Sequence, residues 1–459
     1  MKEKILLAPF LLFVLFSYAQ TEPVAATLPP LKESTINIPV KVVMKPLLDK
    51  ATQLMPKEVT SEGWPNFMKS GCDYQYKYRF IPGALSFNCV NNNIQVKLNG
   101  TYQVAGEKCI CAFGKQSTPW VGGSCGFGKE PMRKTEIYIG SALNLLPNYS
   151  ARTTTAVQKV VAPEKCMVTV FNMDITQQIS DSIKASTNAF CYAIDSAISS
   201  YDFSKATQQL AERINKKIAL ADYGYLKINP SAVKMGYMNY IKDTLVSAMS
   251  ISCFPELGSD STNNYAATFL PPLQTGPVNG GITLYTNARY DYPFISSFLN
   301  KMVKDSSFEL EGTTIIIKNV TINGAGNGKV EMNLDFEGDK SGTLYLIGTP
   351  VLDTAKQIIY LPDLDYSLKS RDLVLTLGKT LFNKKIVRKL REQTTVNIKE
   401  MVEANRADID AQLNKAITPN VESKGALVDF NILALVTGKD QIQAQTRLRV
   451  NAAVIIKSL

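Results

Sequence analysis

The chain has 459 residues, 45% of them hydrophobic and 20% charged, with a formal net charge of +10 and no histidine. That composition belongs to a globular protein and excludes a disordered one, and the length favours two or more domains. Without histidine the chain lacks the usual general base, the usual zinc ligand and every Ser-His or Cys-His nucleophile pair.

The opening MKEKILLAPFLLFVLFSYAQTEP predicts a secretory signal peptide over residues 1–19. Lys2 and Lys4 form its basic start, Ile5 to Phe16 its apolar run, and Ser17 and Ala19 the small residues before a cleavage site. The run is too short for a membrane anchor, and no later stretch is long and apolar enough to span a bilayer. The expectation is a soluble exported protein, periplasmic or secreted. Its mild basic excess suits an anionic surface, although the charges are mostly interspersed.

Residues 20–33 read as an extended leader, and a first domain is expected over 34–254. Ile36, Ile38, Val40 and Val42 alternate with polar residues, which predicts a strand with one buried face. Pro39 predicts that this strand lies at an edge. A helix follows from Pro46, a favourable first-turn position, with Leu47, Leu48, Ala51 and Leu54 on it. Residues 72–130 form a cysteine-rich insertion. Alternating runs then lead to a helical pattern from about Asp174 to Ala219, whose stripe includes Ile183, Phe190, Ile194, Ile198, Leu210 and Ile214. SSYDF at 199–203 can split that helix, with Asp202 as a fresh cap.

Residues 255–281 are rich in Pro, Gly, Ser and Asn and read as a linker. The plan then repeats over 282–459. Ile282, Leu284, Thr286 and Ala288 alternate on a strand 246 residues after its counterpart at Ile36, and Pro293 leads the next helix. A second long helix is predicted from about Arg371 to Thr418, with Leu390, Ile398, Val402, Ile409 and Leu413 on its stripe. Each long helix would span roughly 68 Å if unbroken. Lys384, Lys385, Arg388, Lys389 and Arg391 share one arc of the second and could touch anionic head groups.

The eight cysteines (Cys72, Cys89, Cys109, Cys111, Cys125, Cys166, Cys191 and Cys253) all survive signal cleavage. An even number in an exported chain reads as disulfides, although sequence does not choose among the connectivities. One expected pair is Cys191 with Cys253. Three cysteines fall in CICAFGKQSTPWVGGSCGFGKEP, residues 109–131. Its glycine-rich part lacks the hydroxyl that a phosphate-binding loop needs after the lysine. It also lacks the spaced ligand pairs of a zinc site. A Cys-x-Cys redox pair fits an exported protein. The leading expectation is a disulfide-stapled surface loop. Ser231 and Lys234 match the Ser-x-x-Lys of an acylase, without its companion motifs. Asp363 and Asp365 place two carboxylates on one strand face, as a solvated edge or a cation site. Asn99, Asn148 and Asn319 begin glycosylation acceptor sequences.

Three stretches carry a resemblance: STINIPVKVVMKPLL, KCMVTVFNMDITQQI, and GTLYLIGTPVLDTAKQIIYLPDLDYSL. They resemble an uncharacterised bacterial family of exported proteins placed near the tubular lipid-binding (TULIP) superfamily, which includes bactericidal permeability-increasing protein. The resemblance implies an α+β fold of two tandem tubular domains, each a long amphipathic helix wrapped by a highly curved antiparallel sheet. It implies a non-enzymatic protein that binds or carries a lipid or other elongated apolar ligand in an apolar tube. Ile183, Phe190, Ile194, Ile198, Leu210, Ile214, Leu390, Ile398, Val402, Ile409 and Leu413 would line it. No cofactor, metal or nucleic acid is expected, and contact with an anionic membrane surface would be transient. The alternative is an envelope-associated structural or interaction protein with a side-chain-filled core and no ligand. A third class is an exported hydrolase using Ser231 and Lys234.

Overall fold

A computed structural model describes residues 27–168, 173–220, 224–259, 270–310, 313–339, 341–370, 391–392 and 394–457. The principal elements of the first half are β1 (Ser34–Val43), α1 (Lys45–Leu54), β2 (Tyr74–Val90), β3 (Asn93–Lys108), β4 (Val121–Cys125), β5 (Arg133–Leu145), β6 (Ala151–Val161), α2 (Thr176–Ser200), α3 (Ser204–Asn215), β7 (Pro230–Met235) and β8 (Thr244–Cys253). Those of the second half are β9 (Gly281–Asp291), α4 (Tyr292–Val303), β10 (Thr313–Gly326), β11 (Lys329–Gly338), β12 (Gly342–Gly348), β13 (Asp365–Ser370), α5 (Ile398–Ala404), α6 (Arg406–Leu413), β14 (Val421–Thr437) and β15 (Gln441–Ile456).

The fold is mostly β, in several sheets, and this overturns the expected architecture of long helices wrapped by curved sheets. The fully described helices run from 7 to 25 residues and lie against sheets. The first long helical pattern divides into α2 and α3. Tyr201 takes an extended conformation with ψ 128°, and the Asp202 carboxylate accepts the Ser204 backbone N–H at 2.8 Å. Short polar side chains that bond nearby backbone groups favour such breaks. The N-cap position itself falls to Phe203 rather than Asp202.

The second long helix is also not formed where the chain is described. The Asn397 side chain accepts the Glu400 N–H at 3.2 Å and starts a new helix at Ile398. Asn405 separates α5 from α6, and Ala416–Thr418 turns into a strand against β14. Residues 371–390 of that pattern lie outside the described residues. Helix starts at the two prolines are simpler. Pro46 and Pro293 each occupy the first turn of α1 and α4, and the Asp291 side chain caps α4 by accepting the Phe294 N–H at 2.7 Å.

A 12-stranded sheet joins both halves. β1 pairs antiparallel with β8 along its length, Pro39 opposite Ala248. On its other side it pairs with β9 through Thr35–Asn37 and with β15 through Val40–Val42. β1 is therefore an interior strand, not an edge. Pro39 is tolerated because it falls at the seam between the two partners on that side, where a missing N–H costs no ladder bond. Ile36 lies directly opposite Ile282. β8 pairs β1 as β15 pairs β9, and β7 and β14 flank β8 and β15. The repeated halves thus meet about a quasi-twofold point between Ile36 and Ile282. Ile214 of α3 packs over this junction with Ile251, Cys253, Leu284, Ile36, Ile282 and Leu448.

Two further sheets stand apart in sequence. β6, β5, β3 and β2 form the body of a seven-stranded sheet, with β4 paired to β3. β10, β11, β12 and β13 form most of a five-stranded one. Each has a helix laid along an exposed ladder edge. Asn188 and Asp195 of α2 take the N–H groups of Val157 and Thr155 on β6. Ser296 and Asn300 of α4 take those of Ile322 and Val320 on β10. Covering an edge in this way removes a template for unwanted strand addition.

Candidate functional site

Along α2, residues 179, 183, 190 and 194 fall on one stripe at helical spacing, and Tyr201 follows at the helix's end. Ile179 and Ile183 pack against the seven-stranded sheet. Beyond them the sheet turns away from the stripe and engages Asn188, Cys191 and Asp195 instead. Phe190, Ile194 and Tyr201 are left facing solvent, 71%, 49% and 65% exposed. Ile198 is half-buried. Tyr201 meets Phe203 edge to face, ring centroids 4.7 Å apart.

Immediately after that pair an open cleft of about 550 Å³ lies between α3 and two loops. Its lining includes Ser204, Thr207 and Ala211 of α3, Tyr149 from the β5–β6 turn, and Leu270 and Pro272. The loops hold each other. The Tyr149 hydroxyl donates to the Pro271 carbonyl at 2.6 Å, and the Leu273 N–H donates to the Pro147 carbonyl at 2.9 Å. The volume lies in the usual range for small-molecule clefts.

The expected tube lining divides accordingly. Leu210 and Ile214 belong to the packed junction, Ile214 being buried. Phe190 and Ile194 are on the outside, so they do not line an interior. Ile398 is buried at the start of α5, and Val402, Ile409 and Leu413 are half-buried. Leu390, Lys384, Lys385, Arg388 and Lys389 lie outside the described residues. Arg391 is exposed, and its carbonyl accepts the Thr395 hydroxyl at 2.7 Å.

The cysteines form two bridges, Cys72–Cys111 and Cys125–Cys166. Cys89, Cys109, Cys191 and Cys253 are free and buried. The expected Cys191–Cys253 bridge does not form. Cys191 packs with Ile137 and Val157, whereas Cys253 packs at the two-half junction. Burial and then the neighbouring Asp195 raise the Cys191 thiol's pKa. Burial, with Glu33 adding to it, pushes that of Cys253 up to about 12. Both are therefore unreactive thiols.

The 109–131 stretch splits in two. Cys111–Ala112 and Lys115–Gln116 make a small surface hairpin tied down by Cys72. The glycines are not a loop around a ligand: Gly122 and Gly123 sit in β4 opposite Glu107 and Gly106. A Cβ on Gly122 would overlap the Gly106 carbonyl oxygen and the Glu107 Cα. Gly122→Ala is accordingly expected to lower stability by about 2 kcal/mol, read as a lower urea midpoint.

The acylase reading loses its geometry. Ser231 is exposed and donates to Glu33 at 2.7 Å. Lys234 is three residues along the same strand, past a register shift between Pro230 and Ala232, and the Ser231 hydroxyl is engaged by Glu33 rather than by Lys234. Asp363 is a turn residue rather than half of a strand pair. It accepts the Thr349 N–H at 2.6 Å and the Thr349 hydroxyl at 2.9 Å, with Lys329 at 3.4 Å. Those bonds, the backbone one foremost, hold its carboxyl below the usual range despite burial. Among the described residues no group of three metal-ligating side chains converges, and no helix is long and apolar enough to cross a membrane.

A family model for a domain of unknown function, DUF4403, matches residues 32–456. The chain belongs to the DUF4403 family. That match spans both halves and the junction sheet, and it brings no support for kinship with the tubular lipid-binding superfamily. No curated protein matches this DUF4403 chain. Among solved structures it is similar to P47 of Clostridium botulinum E1, at 9% identity, over 90% of this chain and 98% of that one. The TM-score is 0.19, too low to support any statement about fold or function. Two disulfides make the DUF4403 chain compatible with export to an oxidising compartment.

Proposed function

We propose that the protein is an exported, non-enzymatic binder of an elongated apolar ligand, with a lipid acyl chain as the chemical class. The observation that carries this reading is the uncovered half of the α2 stripe, Phe190 and Ile194, with Tyr201 at the helix's end, leading along the chain to the open cleft beside α3. Exposed apolar surface that is contiguous marks binding sites rather than ordinary surface. Each methylene taken from water onto such a surface contributes ~0.8 kcal/mol. Transfer from a bilayer is close to neutral, because both environments are apolar, so such a surface can shield a chain without trapping it. The reading rests on this surface chemistry and on no tube.

A second reading keeps one observation of its own. The Ile183 and Cys191 region of α2 is filled by side chains from the sheet, as a structural or interaction protein without a ligand would require.

The test is native mass spectrometry, with lipid extraction, of protein purified from its export compartment. A stoichiometric lipid adduct is the expected result. In the variant Phe190→Asp with Ile194→Asp, uptake of added fatty acid or phospholipid should fall about a hundredfold, since two apolar contacts of ~1.5 kcal/mol each are lost. Exposed side chains contribute little to folding, so the melting temperature should stay nearly constant. A bare protein mass, with no uptake of added lipid by the unaltered chain, would sink the proposal in favour of the second reading.

A further inference from the structure

Three sulfurs converge at the end of β3. Cys72 and Cys111 are bridged, and the free Cys109 Sγ lies 4.0 Å from the Cys111 Sγ. The Cys109 thiol also sits 3.4 Å from the Cys72 carbonyl oxygen, and the Cys109 N–H donates to the Asp73 carbonyl at 2.9 Å. Backbone bonds therefore hold the free thiol beside the bridge. The other free cysteines have different surroundings: Cys89 faces the Met238 carbonyl, while Cys191 and Cys253 face apolar clusters.

A thiol held against a disulfide has a characteristic reaction, exchange through attack of its thiolate on one of the two sulfurs. The sulfur at 4.0 Å is that of Cys111. We infer that Cys72, Cys109 and Cys111 form a thiol–disulfide exchange site in which Cys109 displaces Cys72 from Cys111. Cys109 gives its proton to water and attacks the Cys111 Sγ. The Cys109–Cys111 bond forms as the Cys72–Cys111 bond breaks, and the electron pair leaves on the Cys72 Sγ, which is then protonated by water. One disulfide and one thiol exist before and after, so no oxidant or reductant is consumed.

The exchange moves the thiol outward. Cys109 is 6% exposed, whereas Cys72 is half-buried in a turn between exposed Gly71 and Asp73. It also unties the hairpin at 111–116 from residue 72. Ile110 and Phe113 flank Cys111 there and are fully or largely exposed. The released Cys72 thiolate is placed to take a disulfide-bearing substrate into a mixed disulfide. This inference does not depend on the lipid reading.

Trypsin makes the forms separable, since Cys72 falls in SGCDYQYK and both other sulfurs in CICAFGK. The mature chain is incubated in buffers of rising pH without reductant, quenched in weak acid, then unfolded and alkylated with N-ethylmaleimide. The starting form yields the two peptides cross-linked, with the label on Cys109. The exchanged form yields CICAFGK closed on itself, and a separate SGCDYQYK labelled on Cys72. Its rate of appearance should rise with pH, since the thiolate is the attacking form. Cys109→Ser should abolish the Cys72 label while keeping the cross-link, which also shows that the loop still folds. With the unaltered chain, Ellman's reagent should release its thiolate at a rate that Cys109→Ser lowers at least tenfold. Only the cross-linked pair labelled on Cys109, at every pH, would overturn the inference. A cross-linked pair labelled on Cys111 would overturn it too, by moving the attack to Cys72.

Discussion

Replacing Cys125 and Cys166 together by alanine is expected to lower the unfolding free energy by about 4 kcal/mol. The bridge closes a loop with a sequence separation of 41, and the chain-entropy relation assigns such a loop close to that value at 25 °C. Both cysteines are fully buried and pack with Tyr102, Phe80, Val104, Ile175 and Ile179. The bridge fastens β4 to the segment that starts α2. The Cys166 N–H donates to the Thr176 hydroxyl at 2.7 Å, and the Cys166 carbonyl accepts the Ile175 N–H at 3.0 Å. Alanine is the better probe, since serine would bury a hydroxyl without a partner. Urea titration of the double variant measures the effect, and hydrogen exchange should show the first turns of α2 opening soonest. A loss under about 1 kcal/mol would mean that the unfolded chain keeps these segments together without the bond.

Asp195→Ala should cost about 3 kcal/mol, the largest effect expected from one carboxylate here. Asp195 accepts the Thr153 hydroxyl at 2.6 Å, the Thr155 N–H at 2.8 Å and the Thr155 hydroxyl at 2.6 Å. Bonds to a charged group are worth more than neutral ones, and the Thr155 N–H would be left without its acceptor. Burial pushes the Asp195 carboxyl up, but the bonds from Thr153 and Thr155 outweigh it and hold the pKa below the usual range. A lowered folded-state value stabilises the protein above the unfolded aspartate pKa of about 3.9. That contribution disappears as pH falls through the folded value. Asp195→Asn keeps an acceptor but cannot titrate. Its stability should therefore fall less steeply with acid than that of the unaltered chain, as thermal melts across the acid range would show. Parallel slopes would remove Asp195 from the pH dependence.

What could be read in advance follows from how local each signal is. Pro46, Pro293 and the break at 199–203 are legible because helix starts and stops depend on a few neighbouring residues. The alternation around Ile36 and Ile282 is likewise local. Pro39 misled, because an interior strand can carry proline where it changes partners, and partners are set by residues hundreds of positions away. The rule that apolar residues face the sheet misassigned α2. Its sheet-facing positions include Asn188 and Asp195, because a strand edge needs acceptors for its N–H groups as much as it needs methyl groups. Phe190 and Ile194 were read as inward for the same reason. Cysteine partnerships were illegible, and the sulfur nearest the Cys72–Cys111 bridge became visible only with the fold. The polar pattern of Ser296 and Asn300, four residues apart on α4, was an available signal for edge covering. Asn188 and Asp195, seven apart on α2, repeat it.

The pairing of Ile36 with Ile282 has the form of a homodimer's isologous contact, written within one polypeptide. Two separate half-length chains meeting in this way would assemble in proportion to their abundance. Continuity of the chain from β8 to β9 replaces that dependence with a local concentration fixed by the connecting segment. The junction sheet then persists at any dilution. Either half is free to diverge without a second copy having to match the change, and the gathering of every cysteine in the first half is that freedom in use.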